Sequence, residues 1–207
     1  MSRGRFLTLE GGEGSGKTTQ AERLRATLAA RGLPVLVTRE PGGAPGAESI
    51  RNILVTGETG RWDPLSEALL HAAARREHVT RTIVPALEAG TWVLSDRFSD
   101  STMAYQGIAQ GVGRDTVAAL NALVLGDLAP DLTLVLDVAE DVGLAREQSA
   151  HEDRYGTMGS AFHAAVRAAF RDIAAAEPGR CVLIDASGAV DEVHTAILAA
   201  VTERLGL

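Results

Sequence analysis

"FLTLEGGEGSGKTT", from Phe6 to Thr19, decides the fold. Its opening "FLTLE" is a short β-prone run. Its end leads into a stretch from Lys17 to Arg31 in which Ala21, Leu24 and Leu28 recur at helical spacing, before Gly32 and Pro34 supply the stop. Between the two, Gly11, Gly16, Lys17 and Thr18 fit the spacing G-x-x-x-x-G-K-[ST] of a phosphate-binding loop, and the strand before and helix after supply the context such a loop requires. The glycines let the backbone turn so that successive N–H groups point at phosphate oxygens, and the helix N-terminus adds its partial positive charge. The expected ATP-binding residues are Gly11, Gly12, Glu13, Gly14, Ser15, Gly16, Lys17, Thr18 and Thr19, with the Thr18 hydroxyl offered to Mg²⁺.

Lys17 is the only lysine among twenty basic side chains; every other positive charge is carried by arginine. A bias toward arginine exchanges the two freely on a surface. It does so less readily where shape matters, because lysine is a compact point charge on a slim stem and arginine a planar fork. The exception therefore marks Lys17 as the residue that reaches the donor phosphates.

Outward from this loop, short β-prone runs alternate with helical patterns. The further strands are expected at 34–38, 91–95, 132–138 and 181–185, and helices at about 47–55, 64–89, 114–125, 160–177 and 190–204. Continuous apolar strands with helices between them predict a doubly wound α/β fold on a parallel five-stranded sheet. The 207 residues fit one domain, 1–207, with a polar segment at about 145–160 that reads as a mobile surface segment.

Composition narrows the function. A net charge of −7 argues against broad adhesion to nucleic acid or to an anionic membrane, so any anionic ligand must be gathered by a local cluster. No run reaches the 18 or more apolar residues of a membrane span, and no signal-peptide pattern opens the chain, which makes the cytoplasm the expected address. The single cysteine, Cys181, permits no internal disulfide and reads as a small buried hydrophobe.

A second motif, "LSDRFSDSTMAYQG" (Leu94 to Gly107), ends a strand on Ser95 and follows it with Asp96 and Arg97. A carboxylate at a strand end beside the loop is placed to hold Mg²⁺ or its water, and the adjacent arginine to grip a second anion. The alternative is a surface ion pair of little consequence.

Taken in order, "EGGEGSGKTT", "TREPGG", "DRFSDSTMAYQG" and "PDLTLVLDV" resemble the bacterial thymidylate kinases over nearly the whole chain. The resemblance implies transfer of the γ-phosphoryl group of ATP to dTMP, with Mg²⁺, in a homodimer. It places Arg97 on the acceptor phosphate with Arg39 in the same pocket, Glu40 at the sugar 3′-hydroxyl, and Thr102 and Gln106 at the base and the sugar 2′ position. On the helix "SEALLHAAARREHV", Arg75 matches the family's base-reading arginine. His71 stands where the family carries a stacking phenylalanine, and either stacks in its place or packs the helix face while a neighbour stacks. Glu13 is expected to help orient the acceptor, because a carboxylate there repels phosphate unless it meets a hydroxyl, water or arginine.

Members of the family carry a catalytic arginine in the loop or in the lid. The variable loop positions here, Gly12 to Ser15, hold none, which points to Arg146 and Arg154 in the lid. Gly156 departs from a usual glutamate. The thinned lid and His71 keep two alternatives open: a kinase for another pyrimidine deoxynucleotide, and a nucleotide-binding regulator.

Overall fold

The apolar runs form one parallel sheet. In the computed structural model, which describes residues 3–58, 60–147 and 155–207, the strands are β1 (Phe6–Glu10), β2 (Val35–Arg39), β3 (Trp92–Asp96), β4 (Leu132–Asp137) and β5 (Cys181–Asp185), in the order β2-β3-β1-β4-β5. Every pairing is parallel. This is the doubly wound α/β architecture that the alternating pattern predicts, and the P-loop strand is its centre.

Each face of the sheet is covered because its strands are apolar on both sides. On one face Leu7, Leu9 and Leu94 pack with Leu24 and Leu28 of α1 (Lys17–Ala30) and with Ile197 and Val201 of α9 (Val190–Leu205). On the other, Phe6, Val93 and Phe98 pack with Ile83 and Leu87. Burying a Leu or Phe side chain of this kind contributes about 1.5–3 kcal/mol. Cys181 lies in the sheet among buried residues, as expected; burial pushes its thiol up to about 12, against the opposing pull of Arg180, and so keeps it protonated.

The remaining helices are α2 (Pro45–Val55), α3 (Pro64–His78), α4 (Val84–Glu88), α5 (Ser99–Thr102), α6 (Arg114–Leu125), α7 (Glu140–Glu147) and α8 (Ser160–Ala176). Asp63 caps α3 by accepting from the Leu65 and Ser66 amides, with Pro64 in the first turn. The single helix expected over 64–89 is α3 running into α4 through a π-wound turn, Val79–Ile83.

Three local expectations change. A second π-wound stretch, Met103–Ala109, continues α5 through the motif after β3, where no helix was expected. α7 occupies the start of the polar segment read as a lid. At the far side of that segment Tyr155 is buried at 6% exposure, against Tyr105 and Phe170, so this aromatic belongs to a core and not to the surface.

Parallel pairing sets the site. Leu9 and Arg39 both pair with Asp96, so the C-terminal ends of β1, β2 and β3 lie level, and the loops that leave them open onto one edge of the sheet.

Candidate active site

At that edge lies a cavity of about 760 Å³, walled by the P-loop, the ends of β2 and β3, α3, the α5 segment and the loop before α9. Eighteen residues are expected to bind or act from Gly11 to Arg146, with Arg154 beyond them. Among the cavity's walls are Lys17, Arg39, Glu40, His71, Arg75 and Arg97.

The loop at its base has the backbone its sequence demands. Gly16 adopts φ 90° as it caps α1, a conformation costly to residues with a Cβ. A Cβ at Gly14 would lie 1.8 Å from the Gly143 carbonyl oxygen, so glycine there lets α7 close against the loop. Lys17 Nζ donates to Gly11 O (3.2 Å), Gly12 O (2.7 Å) and Ser15 Oγ (3.2 Å). Three acceptors thus converge on one ammonium. Burial, and then Arg97, lower the lysine pKa; Glu13 and Asp96 oppose them.

Arg97 stands across the loop. Its φ of 69° is the only positive value at a described residue other than glycine, the kind of strain that persists where surrounding structure enforces it. What enforces it is visible. Its amide donates to Leu9 O (2.9 Å), its Nη1 to Gly11 O (2.9 Å), and its Nη2 pairs with Glu13 at 2.8 Å. The Tyr105 hydroxyl donates to the other Glu13 oxygen at 2.7 Å, and the guanidinium lies over the Tyr105 ring. Burial by itself would raise the Glu13 carboxyl, but Arg97, followed by Lys17 and Tyr105, holds it down at about 2. Glu13 is therefore an anion whose charge the site already answers with an arginine.

Beside Arg97, Asp96 Oδ2 accepts from Thr18 Oγ1 at 2.5 Å. A hydroxyl and a carboxylate side by side at the loop are hard oxygen donors of the type Mg²⁺ prefers. Among the described residues no group of three or more His, Cys, Asp or Glu gathers around a point.

On the far wall Arg75 is 2% exposed and nearly saturated. Nε donates to Glu40 (2.8 Å), Nη2 to Phe98 O and Thr102 Oγ1 (2.9 Å each), and Nη1 to Asn121 Oδ1 (3.3 Å). Glu40 turns both oxygens inward, its second one to His78 Nδ1 at 3.0 Å. In this geometry Glu40 fastens Arg75 to the loop after β2. His71, four residues before Arg75, bonds through Nε2 to the Tyr155 hydroxyl (3.0 Å), with the rings tilted 6.4 Å apart.

A family profile described as thymidylate kinase matches residues 9–197. The chain belongs to the thymidylate kinase family. It is 50% identical to a thymidylate kinase of Caulobacter vibrioides over 208 residues, covering the whole of both chains, and 49% identical to one of Rhizorhabdus wittichii, covering 98% of this chain and 99% of that one. The crystal structure of thymidylate kinase from Ehrlichia chaffeensis superposes with a TM-score of 0.78 at 37% identity, covering 97% of this chain and 99% of that chain. The chain is accordingly an ATP-dependent nucleoside monophosphate kinase. No described helix is long and apolar enough to cross a membrane.

Within this thymidylate kinase scaffold the remaining expected residues are placed as follows. Arg39 reaches the cavity from the end of β2 while pairing with Glu48 at 3.1 Å. Arg146 also lines the cavity, with Nη1 and Nη2 donating to the Ala186 and Ser187 carbonyls at 3.0 and 3.2 Å. Arg154 lies outside the described residues. Thr102 and Gln106 are buried and line the cavity, Thr102 beside Arg75.

Four residues escaped the sequence reading. Tyr105 lies inside the motif that follows β3, but its partner Glu13 is 92 residues away. Tyr155 was averaged into a polar segment. Glu67, buried at 1% exposure, accepts on Oε1 from Gln106, Gln110 and Tyr155, and its signal was spacing: residues 67, 71 and 75 lie four apart on one helix face.

The fourth is Glu10, fully buried at the end of β1. It accepts from the Phe98 amide (2.8 Å) and the Ser101 hydroxyl (2.6 Å), and so ties down the loop that carries Arg97. Burial foremost, then Asp100, raises its carboxyl from 4.5 to about 7. The native state therefore binds more protons here than the unfolded chain between these values. The stability Glu10 contributes is full below about 4.5 and lost as pH rises through about 7. The Glu10→Gln variant cannot titrate, so its stability relative to the wild type is expected to rise between pH 4.5 and 7.5. Urea unfolding across that range measures it, and a flat or falling difference contradicts the assignment.

Proposed function

We propose that this chain transfers the γ-phosphoryl group of ATP to dTMP, giving dTDP and ADP, by in-line attack of an acceptor phosphate oxygen held by arginine on a donor held by the P-loop. The observation that carries the reading is that Lys17 and Arg97 both donate to the carbonyl oxygen of Gly11. Two cations, one from the donor loop and one from the acceptor motif, thus meet where two anionic phosphates must be brought together against their repulsion.

Each residue's part follows from its shape. Lys17 and the loop amides hold the β and γ phosphates. Arg97, steadied by Glu13 and joined by Arg39, grips the acceptor phosphate with bidentate forks. Thr18 and Asp96 would hold Mg²⁺, which when bound neutralises charge on the phosphate oxygens. Because Gly12, Glu13, Gly14 and Ser15 provide no arginine, the charge on the transferring group falls to Arg146 and Arg154 as the lid closes and excludes water. Arg75, Thr102 and Gln106 read the base, with His71 at the stacking position. Glu40, both of whose oxygens face Arg75 and His78, reaches the sugar 3′-hydroxyl only by giving up one of those bonds.

We further propose a cytoplasmic homodimer. Leu65 and Leu69 on α3 and Leu123 on α6 are large exposed apolar side chains that a dimer interface would cover, and sedimentation equilibrium reads the mass directly.

Turnover of dTMP, dUMP, CMP and AMP with ATP and Mg²⁺ tests the reaction. dUMP is included because His71 replaces the family's phenylalanine. Release of ADP is expected to be fastest with dTMP and at least about 10²-fold slower with either ribonucleotide. A ribonucleotide preference sinks the reading.

A further inference from the structure

Behind the cavity wall that Gln106 helps to form lies a buried carboxylate, Glu67, which does not itself line the cavity. Glu67 Oε1 receives three donors: Gln106 Nε2 at 2.7 Å, Gln110 Nε2 at 3.0 Å and the Tyr155 hydroxyl at 3.0 Å. A carboxylate oxygen in that position accepts, so the end of the Gln106 carboxamide that faces it is the NH₂. A glutamine amide has two chemically opposite ends, and the one not held by Glu67 is the carbonyl. Gln106 Oε1 has no hydrogen-bond partner among the described residues, and Gln106 lines the cavity.

Two neighbours have equally fixed polarity. A guanidinium carries five N–H donors. Four of those on Arg75 are spent on Glu40, Phe98 O, Thr102 and Asn121, which leaves one on Nη1. Thr102 Oγ1 accepts from Arg75, so its own O–H is available to donate. The wall thus offers two donors, from Arg75 and Thr102, and one acceptor, from Gln106.

A 2,4-dioxopyrimidine presents the complement: two carbonyl oxygens and one N3–H. Cytosine presents an amino group and an unprotonated N3 in place of O4 and N3–H. Against this wall it would set donor against donor and acceptor against acceptor. Were Gln106 reversed, its NH₂ would face N3 and the acceptor that rejects cytosine would be gone.

We propose that Glu67 is the positioning residue that sets base selection: by holding the Gln106 amide one way round, it commits the pocket to thymine or uracil and against cytosine. Tyr155 and Gln110 share the same oxygen and keep Glu67 from turning. The inference rests on dTMP being the acceptor, and its test separates the two. Glu67 never touches the base, so a simple structural role for it would lower the turnover of every acceptor alike. A role in orienting Gln106 changes the ratio between acceptors.

The experiment compares kcat/KM for dTMP and dCMP in the wild type, Glu67→Gln and Glu67→Leu, with KM for ATP measured in each. The wild type is expected to prefer dTMP by about 10³-fold or more, as sites built on buried hydrogen bonds do. Glu67→Gln presents either an oxygen or an NH₂ to Gln106 and is expected to lower the preference about tenfold. Glu67→Leu, with neither, is expected to lower it further, while KM for ATP stays within about threefold in both. A preference unchanged within twofold in soluble variants overturns the inference and leaves the reaction standing. A wild type that does not phosphorylate dTMP overturns the reaction itself. An independent measurement uses N3-methyl-dTMP, which has no N3–H. Turnover by the wild type within threefold of dTMP contradicts an acceptor at Gln106, and strong rejection supports one.

Discussion

Replacing Arg97 by glycine is expected to lower kcat/KM for dTMP by about 10³-fold or more, within the range an arginine on phosphoryl groups contributes in P-loop enzymes, while leaving the fold nearly intact. The residue is held at φ 69°. An L-residue in that conformation costs roughly 1–2 kcal/mol, and glycine adopts it freely. Arg97→Gly and Arg97→Ala should therefore be equally inactive but differ in stability, the glycine variant being the more stable by about 1 kcal/mol. KM for ATP should move little, since Lys17 and the loop remain. Arg97→Lys keeps the charge, but its donors radiate from one nitrogen, whereas Arg97 reaches Gly11 O through Nη1 and Glu13 through Nη2, and the activity of the variant should lie near that of alanine. If Arg97→Gly is as active as the wild type, or less stable than Arg97→Ala, the strained backbone has no part in placing the acceptor.

Lys17→Arg is the second large effect, with an expected loss of about 10²-fold or more in kcat despite conservation of charge. Gly11 O, Gly12 O and Ser15 Oγ surround Nζ at 2.7–3.2 Å, and an ammonium meets three such acceptors with three tetrahedral N–H bonds. A guanidinium spreads its donors over a plane and needs more room than a loop of this width offers. Since the chain otherwise uses arginine for every positive charge, the lone lysine marks where the planar group fails. The variant's kcat and its KM for ATP report the loss. Near-normal values would return Lys17 to an accident of composition.

The sheet was legible because its signal is local. Buried parallel strands are continuous apolar runs, and the glycine spacing after β1 is a contiguous motif, so both survive without knowledge of the partners. Lys17, Asp96 and Arg97 come to the cavity through signals equally local: Lys17 closes the glycine motif, Asp96 ends β3 and Arg97 follows it. What escaped depends on contacts far apart in sequence. The π-wound stretch at Met103–Ala109 breaks the 3.6-residue period on which helix reading depends, and it presents both Tyr105 and Gln106 toward the pocket. Tyr155 lies in a stretch whose average polarity hid one buried ring. Glu10 looked like the end of a strand, and only its burial against the Phe98 and Ser101 loop shows that it anchors Arg97. The Glu40 carboxylate shows the limit from the other side: the motif around it was plain, while its commitment to Arg75 and His78 was not.

The proposed reaction has a lysine-held donor and an arginine-held acceptor meet over one loop carbonyl, where a phosphoryl group moves between nucleotides. ³¹P NMR of the purified protein with ATP, Mg²⁺ and dTMP follows every phosphorus in that transfer. The expected result is loss of the dTMP and ATP γ-phosphate signals matched by equal gains of dTDP and ADP, with no build-up of inorganic phosphate. ATP consumed to ADP and inorganic phosphate with dTMP untouched, or no reaction in a protein that binds ATP, would contradict it.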